Sequence, residues 1–221
     1  MKNRVWIFLS AAAAGLSIAI GGTVYLSVEN TTAGALLFAV GLYAIVLNGL
    51  HLYTGKVGYL IGQEDKAGYG LLLALTWAGN LAGTGLGAAC VLMSRISGIS
   101  GRAGEIAAVK LSDTPASIFL LSVFCGFLMY AAADGFKKKG NPLILFVCVS
   151  VFILCGFEHC VANMFYFSIA NAWTWKTFLW LLIMTAGNAV GGLLIPVIKC
   201  NIPYKKEKRI SVQDEKDNHS K

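Results

Sequence analysis

Three stretches of this chain, residues 5–28, 67–94 and 177–198, contain no charged side chain. Each reaches or exceeds the ~20 residues a helix needs to cross a bilayer. In a chain of 221 residues that feature decides the class of fold, because a soluble domain could not hide such runs in one core. Composition agrees. Hydrophobic residues make up 57% and charged residues 13%, against about 45–50% and about 25% in soluble domains. The chain reads as an all-α polytopic membrane protein whose first partner is the lipid bilayer.

Six spans can be drawn: 5–28, 34–62, 68–93, 115–133, 142–170 and 176–199. The first is too long for a signal-peptide core and is read as a membrane helix. With the N-terminus in the cytoplasm, fourteen Lys and Arg lie inside and four (Arg95, Arg102, Lys110, Lys176) outside. Cytoplasmic loops carry an excess of Lys and Arg, so both termini are predicted to face the cytoplasm of a cell (plasma or inner) membrane. The net charge of +7 is concentrated at Lys137, Lys138, Lys139 and residues 205–209. Placed beside spans, these runs are topology signals rather than a nucleic-acid surface. None of the six Cys forms a CxxC, and they read as small packing residues. Residues 1–200 form one transmembrane domain, and 201–221 a basic tail that is polar throughout and expected to be disordered.

The chain also resembles itself. Leu47-Asn48-Gly49-Leu50-His51-Leu52 matches Leu154-Cys155-Gly156-Phe157-Glu158-His159 at a shift of 107. Gly79-Asn80-Leu81-Ala82-Gly83 matches Gly187-Asn188-Ala189-Val190-Gly191 at 108, and a fainter echo pairs Phe8 and Gly15 with Phe119 and Gly126 at 111. Repeats of about 5–93 and 115–199, three spans each, follow from these offsets. An odd number of crossings turns the second copy upside down, the plan of channels and secondary transporters with a site near the midplane.

The second and fifth spans are long and interrupted by polar and glycine residues: Asn48, Gly49, His51, Thr54 and Gly55 in one, Gly156, Glu158, His159 and Asn163 in the other. Such residues at membrane depth predict broken helices facing protein or a water-filled path. A charge at the bilayer centre costs about 2.5–3.5 kcal/mol on the mildest scale, so Glu158 and His159 are functional candidates. Glu158 and Asn163 can equally tie the break together, His51 can cap backbone carbonyls, and Asn80 and Asn188 can bond across close helix contacts. Cys155, His159 and Cys160 lack the converging ligands of a metal site, and no Walker A sequence is present. Neither metal nor cofactor is expected.

Gly156-Phe157-Glu158-His159-Cys160-Val161-Ala162-Asn163-Met164, together with Leu52-Tyr53-Thr54-Gly55 and Gly187-Asn188, resembles the formate/nitrite transporter family over roughly residues 5–200. The resemblance implies an aquaporin-like fold of six helices with the second and fifth broken, assembled as a homopentamer with one anion pore per protomer. It places His159 as the central pore histidine, Thr54 as its partner and Lys110 as a vestibule lysine in the loop before the fourth span. Phe38, Leu42, Leu52, Tyr53 and Phe152 fall on apolar constrictions above and below the histidine. Gly126 stands where many members have Asn, which removes a side-chain hydrogen bond near the pore. Compared with longer members, the chain is expected to lack their amphipathic cytoplasmic helix before the first span, and with it any gating that helix supplies.

The expected function is passive or proton-linked passage of a small monovalent anion, formate or nitrite first, then hydrosulfide, then a short monocarboxylate such as lactate. Lys110 attracts the anion. Falling dielectric then raises the pKa of the weak acid, which takes a proton from water or from His159, or else pairs with a protonated His159. The rival class is an intramembrane enzyme using Glu158 and His159 as acid and base.

Overall fold

The computed structural model describes residues 2–202, so the expectation for the tail lies outside the described residues. Among these residues nine α-helices follow one another: α1 Lys2–Ser27, α2 Thr31–Leu47, α3 Tyr53–Lys56, α4 Lys66–Leu92, α5 Ser100–Ser112, α6 Pro115–Lys139, α7 Leu143–Leu154, α8 Cys160–Ile169 and α9 Trp175–Asn201. Short 3₁₀ turns cover Val57–Leu60 and Ser97–Ile99, and no strand occurs among the described residues. Four helices, α1, α4, α6 and α9, are long and apolar enough to cross a membrane. Their outward faces leave side chains such as Trp6, Ile20, Leu86, Leu120 and Ile198 exposed, as the surface of a membrane protein requires.

Local chemistry sets the helix ends. Asn30, Asp65 and Thr114 accept hydrogen bonds from the backbone N–H of Ala33, Gly68 and Ser117 and so cap α2, α4 and α6. The long α6 passes the expected end at 133 and runs through Lys137, Lys138 and Lys139. Straight-chain lysines are good helix formers and suit a helix C-terminus, so the helix stops only at Gly140, whose φ is 67°.

The two expected breaks are present and built alike. After α2, Gly49 turns left-handed (φ 64°) and the Leu50 N–H returns to the Ile45 carbonyl at 2.9 Å. After α7, Gly156 does the same (φ 67°) and the Phe157 N–H returns to the Phe152 carbonyl at 2.9 Å. Both are Schellman closures, which satisfy the last carbonyls of a helix that ends inside protein.

The helix pairs are equally parallel. α1 packs along α4, and α6 along α9. A side chain at Gly83 would run into the Ala12 carbonyl, and one at Gly191 into the Val123 carbonyl. Gly15 and Gly126 lie in the same way against the carbonyls of Asn80 and Asn188. Gly126 is therefore a packing residue. A larger side chain could not occupy this contact, so the expectation that Gly126 marks a lost hydrogen bond is replaced by a steric reason for glycine.

Lys110 is not in a loop. It lies in the last turn of α5, an amphipathic helix whose buried residues include Ala103 and Ala107. Arg102 on α5 donates to the carbonyls of Tyr25, Leu26 and Val28 at 3.2, 3.2 and 2.7 Å, and its guanidinium lies over the Tyr25 ring. One side chain thereby satisfies the open C-terminal end of α1 and fastens α5 across it.

Candidate functional site

Two asparagines build the site from behind. Asn188 on α9 donates to the carbonyls of Ser122 (2.8 Å) and Glu158 (2.7 Å) and accepts from the Cys160 N–H (2.8 Å). Asn80 on α4 donates to the carbonyls of Ala11 (2.8 Å) and His51 (2.9 Å) and accepts from the Tyr53 N–H (2.9 Å). Each wholly buried amide thus grips the backbone on both sides of one residue, His159 in the second break and Leu52 in the first. The amide N–H₂ and oxygen are used in the same way in both, which accounts for the shared Gly-Asn dipeptides.

His159 precedes α8 as its N-cap, with Nδ1 accepting from the Ala162 N–H at 3.0 Å. A backbone N–H can only donate, so Nδ1 is unprotonated and a neutral ring carries its proton on Nε2. Nε2 lies 2.8 Å from Thr54 Oγ1, and both residues are buried. The Nε2–H therefore donates to the threonine hydroxyl. Forming an imidazolium would put a second N–H against that of Ala162 and break the cap. Phe152 stacks on the His159 ring at 5.5 Å, and Phe38 meets Phe152 edge-on at 5.9 Å.

A cavity of about 550 Å³ opens above His159 and is lined by Phe152, Lys110, Asp113, Glu158 and His159 among others. A second, of about 450 Å³, lies on the other side and is lined by Leu42, Leu52, Gly55, Lys56, Tyr59 and Lys137 among others. The Thr54–His159 contact lies between them: His159 lines the first, while Leu52 and Gly55, flanking Tyr53 and Thr54, line the second.

Lys110 Nζ is 2.7 Å from Glu158 Oε2, with side chains 13% and 4% exposed. The same oxygen accepts from Asn163 Nδ2 at 2.6 Å. Burial makes each charge depend on the other, since an unpaired ion in this position is costly.

The structure thus brings His159, Thr54, Glu158, Asn163, Lys110 and Phe152 together. Leu42 and Leu52 line the second cavity. Phe38 stands behind Phe152 and lines neither, and Tyr53 lines neither and gives its N–H to Asn80. His51 does not cap carbonyls. Its Nδ1 lies 2.9 Å from Ser10 Oγ, and its N–H donates to the same oxygen at 3.2 Å. Sequence reasoning missed Asp113, Lys56 and Lys137 as cavity residues. The spacing of Ala103, Ile106, Ala107 and Lys110 at helical intervals was the available signal that Lys110 rides on a helix.

An all-helical membrane protein with two cavities meeting at a buried polar contact has the form of a channel or transporter. Residues 2–200 match the sequence model of the formate/nitrite transporter family. The chain belongs to the formate/nitrite transporter family, whose members are channels and transporters rather than enzymes. It is 26% identical over 198 residues to the formate channel FocB of Escherichia coli (strain K12), covering 77% of this chain and 68% of that protein. It is 26% identical over 222 residues to the nitrite transporter NirC of Salmonella typhimurium (strain LT2), covering 87% and 81%. Among solved structures, a pentameric formate channel with formate bound superimposes with a TM-score of 0.78 over 90% of this chain and 96% of that one, at 23% identity.

Proposed function

We propose that this protein is a channel for small monovalent anions, formate or nitrite first, in which the anion or its conjugate acid passes between the two cavities at the Thr54–His159 contact. The observation that carries the reading is the buried 2.8 Å bond between these two side chains at the meeting of the cavities. Formate and nitrite are what the similar proteins are named for. A bare ion crosses apolar surface only at a cost of many kcal/mol. Phe152, Leu42 and Leu52 supply such surface on either side. The neutral His159 ring is then a hydrogen-bond donor rather than a fixed cation, and a weak acid raised in pKa by the falling dielectric takes its proton from water. Of the three routes the sequence left open, this keeps protonation from water and sets aside a proton given by His159 and an imidazolium partner. In the same reading Lys110, paired to Glu158, orders the outer cavity wall.

The paired asparagines, glycines and Schellman turns support an inverted three-plus-three repeat of six crossings, aquaporin-like in plan, with α2–α3 and α7–α8 each forming one broken crossing. Residues 1–200 then form a single domain of a homopentamer in the cell membrane, with both termini cytoplasmic. The test is formate and nitrite uptake by protein-only liposomes across pH 5 to 9. Thr54→Val keeps the shape and removes the hydroxyl, leaving the Nε2–H without its acceptor. Uptake is expected to fall about tenfold for one lost buried bond. A wild-type protein that carries neither anion would end the reading, and a Thr54→Val protein with unchanged uptake would remove this contact from the path.

A further inference from the structure

The two cavities carry opposite charge. The outer one is lined by a single cation, Lys110, and two carboxylates, Glu158 and Asp113, among the described residues, with Lys110 held by Glu158 at 2.7 Å. The other, on the face where α1 begins and α9 ends (the terminus-bearing face), is lined by two cations, Lys56 and Lys137, and among the described residues by no carboxylate. Neither lysine forms an ion pair among the described residues.

The lysines of this face divide sharply by environment. Asp134 takes Lys138 at 2.8 Å and Lys199 at 3.3 Å, and these two do not line the cavity. Lys137, one position earlier in the same turn of α6, points elsewhere. Its Nζ lies 5.1 Å from the centre of the Tyr59 ring, which lines the same cavity. The Tyr59 hydroxyl donates to Asp134 Oδ1 at 3.4 Å, so the aspartate that pairs with Lys138 and Lys199 also props the ring beneath Lys137. Lys56 stands across the cavity at the end of α3, half-buried, its carbonyl accepting from the Tyr69 hydroxyl at 2.9 Å. A lysine at a helix C-terminus complements the helix dipole wherever it points. That alone does not explain why one of three successive lysines is left over a cavity while the next is paired.

We infer that Lys56 and Lys137 form an anion-loading site in the cavity on the terminus-bearing face, which lowers the concentration of a small monovalent anion that half-saturates the path from that face relative to the other. The site rests on the proposed transport function. Two cations at the mouth of a low-dielectric path raise the local concentration of anions. The outer cavity, with its lysine neutralised and a further carboxylate, does not. The two faces therefore differ in half-saturation, while net movement through the channel follows the anion's gradient.

The experiment uses full-length protein in liposomes, with orientation scored by protease access to a C-terminal tag and formate as the probe. At about 10 mM ionic strength, the half-saturating formate concentration from the terminus-bearing face is expected to be about threefold lower than from the other face, the effect of two unit charges at roughly 10 Å in a water-filled cavity. The K56Q/K137Q double variant should raise it about threefold on that face alone. Salt at about 0.5 M should erase the difference in the wild type. K139Q, an exposed lysine that does not line the cavity, should leave it in place. Equal half-saturation on both faces of the wild type at low salt overturns the inference while leaving the transport function standing. So does a K56Q/K137Q protein with unaltered sidedness, or a K139Q protein changed as much as the double variant. Absence of any formate flux in the wild type instead brings down the transport function itself, and the loading site with it.

Discussion

Lys110→Met removes the cation from a pair whose nitrogen and oxygen lie 2.7 Å apart, beside a Glu158 side chain only 4% exposed. The carboxylate keeps one bond, from Asn163 Nδ2 at 2.6 Å, and loses its counter-charge. Breaking one side of a buried pair costs about 3–5 kcal/mol, most of it the penalty of the stranded ion. Glu158→Gln strands Lys110 instead, at the wall of a cavity where water reaches it, so its cost should be smaller, about 2 kcal/mol. The double variant Lys110→Met with Glu158→Gln strands nothing, and the oxygen of the introduced amide still accepts from Asn163. Its loss should be about 1 kcal/mol, giving a coupling of about 5 kcal/mol between the two positions. The assay is the thermal midpoint of the assembled protein in one detergent, read by size after heating. A drop on the order of 6–20 °C for Lys110→Met, largely recovered in the double variant, is expected. Because the pair is buried, the pattern should persist at about 0.5 M salt. Additive losses would refute the pairing. So would a Lys110→Met protein of wild-type stability whose anion uptake depends steeply on salt, the behaviour of a lysine standing free in the vestibule.

Asn188→Leu should lower the midpoint by several degrees and reduce yield of assembled protein, because the Cys160 N–H and the Ser122 and Glu158 carbonyls lose their partner at about 1 kcal/mol each; a stable, active variant would show that the break holds itself. Gly191→Ala should cost about 1–3 kcal/mol by pushing α6 from α9, whereas Gly85→Ala, which meets nothing within 4 Å, should be neutral or slightly stabilising; equal midpoints for the two would contradict the packing. His159→Asn retains an acceptor suited to capping α8 and should assemble as the wild type does, while His159→Phe loses the cap at about 1 kcal/mol and blocks passage. Wild-type uptake by the Phe variant would place the path elsewhere.

What the sequence made legible divides by the range of the interaction. Charge-free runs, apolar spans and the Gly-Asn repeats announce α1, α4, α6, α9 and the two breaks, because each depends on residues a few positions apart or on a periodic pattern. The Glu158-His159 pair stood out because ionisable groups are rare at membrane depth. The Lys110–Glu158 pair did not, since 48 positions separate its members and nothing in either segment names the other. Lys137 and Lys138 look identical as neighbours in a basic run. Only the placement of Asp134 and Tyr59 separates a paired lysine from one facing a cavity. Tyr53 was assigned to a constriction by resemblance; nothing in the sequence announced that its N–H donates to Asn80 while its ring packs against the buried core.

The grip of Asn188 and Asn80 makes residues 159 and 52 interchangeable parts. Each amide fixes the peptide groups before and after the residue and never touches its side chain. Leu52 shows that the arrangement survives without help from that side chain: it starts α3 with no cap of its own, where His159 starts α8 with one. The frame is thus held by one helix and furnished by another. A lineage, or a designer, can exchange the furnishing at 52 or 159 to alter which solute passes without renegotiating the fold, and the losses to watch for are in selectivity before they are in folding.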